Sequence, residues 1–257
     1  NNNDLRDPSF STLTIASGAT FTSYQSGGDV TLTPELRGAG TFNLKGSGAS
    51  SVGSVIISRA NSSYSGNMLV ENGARLWLSN SQAAGTGTIT VQSGGQAAIG
   101  AALANNFTIA GDGWLEGAGR LGALRMAGGS IAGTVALTAN SRITAWGSDT
   151  GTISGVISGA YNLEKTGSGT VTLSGANTYT GSTTISDGVL AVATLANGGS
   201  ASGIGASSNA ASNLLISNGA TLRYSGATAS TDRNFTLPVG GTGTIDVSTA
   251  GTTLTIA

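Results

Sequence analysis

Short runs in which apolar and polar residues alternate recur along the whole chain. Leu13 and Ile15 share one face of such a run, and so do Val171 and Leu173, Thr183 and Ile185, and Leu190 and Val192. Alternation at period two places each pair on the same side of a strand. Similar runs stand at 19–22, 29–33, 41–45, 54–58, 67–71, 75–78, 88–91, 106–110, 134–138, 142–145, 213–216, 242–247 and 253–256, with turn residues between nearly all of them. No stretch shows the spacing of an amphipathic helix, so the pattern predicts an all-β chain. Each run is too short and its apolar face too narrow to be stable alone; such units become stable by stacking on one another and burying one continuous core.

The chain also repeats itself. Tyr64-Ser-Gly66 matches Tyr179-Thr-Gly181, and Asn72-Gly73 matches Asp187-Gly188 at the same offset. Phe42-Asn-Leu44 corresponds to Tyr161-Asn-Leu163, and Asn106-Phe-Thr-Ile109 to Asn234-Phe-Thr-Leu237, with the offset drifting between the blocks. Drift of this kind places insertions between strands. The predicted organisation is a single segment, 1–257, with an internal duplication of roughly 38–126 and 155–257. At about 22 to 25 residues per turn, the chain is expected to form a right-handed parallel β-helix (a solenoid) of about 10 coils. At ~4.8 Å between strands it would be about 50 Å long. Two stretches break the texture. The segment 194–212, rich in Ala, Gly, Ser and Asn, is expected to leave the rod as a loop with one short helical turn. The segment 112–126, with Trp114, Arg120 and Arg125 among glycines, is expected to be a second irregular connection. A strand-like run at the end of the sequence, without a polar cap, suggests a piece of a longer rod.

Composition narrows the functional classes. Charged residues make up 9% of the chain, against roughly a quarter in an ordinary soluble protein, and 42 of 257 residues are Gly. The recurrent Val, Ile, Leu and Thr distinguish this from a disordered linker. Charges are scattered to a net of -1, so there is no basic stripe for nucleic acid or an anionic membrane. With no Cys and no His, neither a Cys/His metal site nor a Ser-His-Asp arrangement exists. The absence of Cys also suits a chain that crosses a membrane unfolded. No run approaches the ~20 apolar residues of a membrane helix.

The nearest acid pairs, Asp4 with Asp7 and Asp112 with Glu116, read as solvated turn residues before they read as a hydrolase pair. The Gly-rich piece 117–122 lacks the Lys and the strand-to-helix context of a phosphate loop. Trp77, Trp114 and Trp146, with Tyr24, Tyr161 and Tyr224, are candidates for a carbohydrate platform, although Trp77 at strand spacing suits the core equally. No catalytic, cofactor-binding or metal residue is predicted, and no cofactor.

One stretch, 163–192, carries a long motif: Leu163, Lys165, Gly167, Gly169, Val171, Leu173, Gly175, Asn177, Tyr179, Gly181 and Thr183. It resembles the passenger-associated transport repeat of autotransporters, the large secreted proteins of Gram-negative bacteria. An earlier, degenerate copy keeps Leu44, Gly46, Gly48, Asn61, Tyr64 and Gly66, with a different spacing to its Tyr. The resemblance implies a non-enzymatic passenger segment, a stalk or adhesin scaffold at the cell surface, exported through a C-terminal barrel encoded elsewhere. It further implies a repeat that aids secretion and folding, and partners such as host surface, matrix or glycan, with self-association of rods. From a different class, a polysaccharide-active β-helix enzyme would need acids from neighbouring coils to converge in one groove. A phage tailspike-like rod would be trimeric.

Overall fold

The computed structural model describes residues 11–25, 27–46, 53–117 and 119–257. It is a parallel β-solenoid of about 11 turns. A 15-stranded sheet folds into two walls, and a 7-stranded sheet forms much of a third. The long strand Val135–Ala145 joins the first two walls: Val135 pairs with Phe107 and Ile157, whereas Ile143 pairs with Leu124 and Lys165. Among the described residues every strand ladder between coils is parallel, as winding requires, and Asn177 and Ser202 add one isolated antiparallel bridge. The antiparallel ladder is the small hairpin of Leu115–Glu116 and Gly119–Arg120.

Alternation becomes columns when coils stack. Phe42, Met68, Ile89, Phe107, Val135 and Ile157 stand in register inside the first wall. On the second, Val55, Leu76, Ala97, Leu124 and Ile143 do the same. On the third, Leu103, Ile131, Ile153, Leu173, Val192 and Tyr224 line up. All these side chains are buried, each worth about 1.5–3 kcal/mol for the larger aliphatic ones. Together they form one continuous core along the axis.

At the corners, backbone lies on backbone. A Cβ added at Gly66 would stand 1.7 Å from the Gly40 carbonyl oxygen, and one at Gly87 would stand 1.8 Å from that of Gly66. A second column contains Gly155, where a Cβ would meet the Gly133 carbonyl oxygen at 1.8 Å. Glycine there is a condition of close coil spacing.

Among the strands that the sequence pattern did not mark are Glu35–Gly38, Gln96–Ile99, Leu124–Met126, Thr150–Ile153 and Ala220–Tyr224. All four residues of Gln96–Ile99 are buried, so no polar position signals its outer face. Ala98 on that face lies in register between Trp77 and Arg125, whose larger side chains shelter it. The expectation for 112–126 needs correction. The irregular part ends before Leu124–Met126, which is a regular strand of the second wall. The segment 194–212 does contain a short helical turn at its end, the 3-10 turn Ala211–Asn213. It does not leave the rod, however: Leu195, Ser202, Ile204 and Ser207 are buried against it.

Candidate functional site

The motif at 163–192 winds a little more than one coil, and its polar residues point at neighbouring coils. Asn177 is fully buried. Its Oδ1 accepts from the Ile157 amide at 2.8 Å, and its Nδ2 donates to the Gly203 carbonyl at 3.0 Å. One side chain thus joins the backbone before it to the backbone after it. Asn61 of the earlier copy repeats this, accepting from the Leu36 amide at 2.8 Å and donating to the Ala83 carbonyl at 2.7 Å. An unpaired amide in such a place costs about 1–3 kcal/mol, which both asparagines avert.

The two tyrosines are equivalent in burial and differ in bonding. The Tyr64 hydroxyl accepts from the Phe42 amide at 3.0 Å and reaches the Gly40 and Asn67 carbonyls at 2.9 and 2.7 Å. That of Tyr179 meets the Thr183 hydroxyl at 2.7 Å, and Thr183 donates to the Ile204 carbonyl at 3.1 Å. Burial pushes the Tyr64 phenol up to about 12 and that of Tyr179 further. Against the backbone of each tyrosine lies a left-handed glycine, Gly85 and Gly205, where a Cβ would stand 1.9 and 2.6 Å from the tyrosine's own carbonyl oxygen. The carbonyls of Tyr64 and Tyr179 accept from Thr86 and Ala206 at 3.0 and 2.8 Å.

Lys165 occupies an inward position between Ile143 and Ile185 in the second wall's aliphatic column. Only 2% of it is exposed. Its Nζ donates to the carbonyls of Gly167, of Gly169 at 2.7 Å and of Asp187 at 2.8 Å, tying the turn of its own coil to the turn of the next. Burial pulls its amine down to about 8, with Asp187 opposing. The motif glycines complete the fit. Added Cβ atoms at Gly167, Gly169 and Gly175 would stand 2.4, 2.3 and 2.6 Å from carbonyl oxygens of the preceding coil.

The other candidates do not converge. The Glu116 carboxylate is held by Arg125 at 3.1 Å and Arg75 at 3.9 Å. The Arg75 guanidinium lies 5.2 Å from the Trp77 ring and 5.4 Å from that of Trp114, within cation–π range. This cluster fastens the hairpin to the second wall, and Glu116 is an ion-pair partner in it. Trp114 and Tyr224 are buried, Trp77 is half-buried, and Tyr24, Trp146 and Tyr161 are exposed. Among the described residues, none of these six rings stacks on another. No group of three or more Asp or Glu that could hold a metal occurs among the described residues. Asp4, Asp7 and Gly48 lie outside the described residues. Sequence reasoning missed Arg75 and Lys165 as buried groups. The shared parity of Leu163 and Lys165 was the available signal for the second.

The stretch built in this way, 163–192, matches the family model of the passenger-associated transport repeat. Residues 163–192 are a passenger-associated transport repeat. A curated relative, the adhesin BmaC autotransporter of Brucella suis biovar 1 (strain 1330), is 51% identical over 128 residues, which are 49% of this chain and 4% of that protein. No solved structure matches. About half of the chain is thus homologous to a small part of an autotransporter adhesin.

Proposed function

We propose that this segment is a non-enzymatic stalk of a surface-exported adhesin, and that its transport repeat promotes folding of the rod during export. The observation that carries this reading is the direction of the repeat's polar groups. Lys165, Asn177 and Thr183 all bond backbone of their own or an adjacent coil, leaving none to act on a ligand. A coil that supplies such anchors gives the next coil a template with its backbone partners already placed. Pairing outside the cell then opposes retreat of the chain. Contact with host surface, matrix or glycan falls to the rod's exterior, where Tyr24, Trp146 and Tyr161 are exposed.

The test is made in the parent gene with Asn61→Ala and Asn177→Ala together, scoring surface arrival of an N-terminal tag and attachment of cells per molecule displayed. The expected result is reduced arrival with unchanged attachment per molecule. Normal arrival with reduced attachment per molecule would overturn the reading and give the repeat a binding role.

A further inference from the structure

The segment 194–212, in which Leu195, Ser202, Gly203, Ile204, Gly205 and Ser207 are buried, lies outside the coil-to-coil ladders, so its buried backbone needs other partners. The transport repeat supplies some. Asn177 and Ser202 form an isolated bridge, the Gly203 and Ile204 carbonyls take the Asn177 amide and the Thr183 hydroxyl, and the Ala206 amide donates to Tyr179.

Within the segment Gly199 donates to Ser207 and Gly203 to Thr194, and a further set of partners comes from the far side, chiefly from three consecutive residues. The Arg233 guanidinium, 4% exposed, donates to the Ala196 carbonyl at 3.3 Å, the Ser207 hydroxyl at 2.9 Å, the Ser200 carbonyl at 3.2 Å and the Gly205 carbonyl at 2.9 Å. The Thr231 hydroxyl donates to Ala196 at 3.0 Å. The Asp232 carboxylate accepts from the Gly198 amide at 2.7 Å and from Asn209 at 3.2 Å, and its own amide donates to Asn197 at 3.1 Å. A planar fork with five donors can address four acceptors at once; the ammonium of lysine cannot match that geometry.

We infer that Thr231, Asp232 and Arg233 are a latch that closes the 194–212 segment over the transport repeat, so that the repeat reaches its final packing only after the chain through Arg233 has joined the rod. The cooperative unit is therefore larger than the motif at 163–192, extending past Arg233. Before the latch arrives, the carbonyls of Ala196, Ser200 and Gly205 lack these donors, and the cover over Tyr179 and Thr183 is held from one side alone. The inference stands on this bonding whether or not the repeat serves export.

Amide hydrogen exchange on the 257-residue chain tests it, comparing the parent sequence with Arg233→Ala, Arg233→Lys and Asp232→Asn. In Arg233→Ala, exchange at Ser202, Gly203, Gly205 and Ala206 is expected to rise by about tenfold or more, with the Met68 and Ile89 amides unchanged. Arg233→Lys is expected to loosen the same amides. Asp232→Asn, which keeps an oxygen for the Gly198 amide and loses the acceptor of Asn209, should have the smaller effect. Unchanged protection across 196–207 in Arg233→Ala, or an equal loss along the whole rod, would overturn the inference. Should Arg233→Ala give no folded protein, Arg233→Lys is read on the same amides with the same two outcomes. A failed export assay alongside normal latch behaviour would count against the proposed function alone.

Discussion

The buried ammonium of Lys165 should make this rod more stable in mild alkali than at neutral pH. Its amine falls from an ordinary value of 10.5 to about 8 in the folded chain because it is desolvated in an aliphatic column. Between those two values the unfolded chain binds a proton that the folded chain has released, so stability rises with pH there. A tenfold change in proton affinity is worth about 1.4 kcal/mol, which sets a ceiling of about 3 kcal/mol. By pH 9.5 the gain should be about 2 kcal/mol over its value at pH 7. Above pH 10 the sign reverses. Tyr64 and Tyr179 keep their protons in the folded chain after the unfolded chain has lost them, and their contribution disappears as pH climbs toward about 12 and beyond. Urea unfolding followed by tryptophan fluorescence at intervals from pH 7 to 11 should therefore trace a rise and a fall. Lys165→Met should abolish the rise and keep the fall. A parent chain whose stability is flat between pH 7 and 9.5, or a Lys165→Met chain that keeps the rise, would refute the reasoning.

Two further substitutions address the other features of the stack. Gly66→Ala places a Cβ 1.7 Å from the Gly40 carbonyl oxygen, a backbone atom that cannot swing away; a loss of several kcal/mol, seen as a lower urea midpoint, is expected, and an unchanged midpoint would contradict the close corner spacing. Asn177→Ala removes two bonds and strands the Ile157 amide and Gly203 carbonyl, for an expected cost of about 2–4 kcal/mol in the same assay. Asn177→Asp keeps an acceptor for Ile157 but turns a buried carboxylate on the Gly203 carbonyl, so it should not recover that loss at neutral pH.

Much of the fold was legible in the sequence because a solenoid stacks its alternating positions directly. Val171, Leu173 and Leu190 read as inward residues and are. The Asn and Tyr that the motif shares with its earlier copy are buried. Strands failed to show where the outer face was not polar, as at Gln96–Ile99, or where the run was short and interrupted by glycine, as at Thr150–Ile153. The nature of 194–212 was hidden for a different reason. Its composition is that of a loop, and what holds it down is Arg233, beyond the segment itself. Lys165 ran against the usual assignment of charge to solvent; only the carbonyls of two successive turns make its inward position tenable.

Since the ladder hydrogen bonds run along the rod, a pull between its two ends would load every joint between coils with the same force. The rod would part at its least braced joint, whatever the strength of the others. Asn61 and Asn177 each span two joints, and Lys165 straps a third point. Under tension these coils should be the last to separate, and a tether that yields elsewhere would retain them as folded knots from which the remainder can rewind.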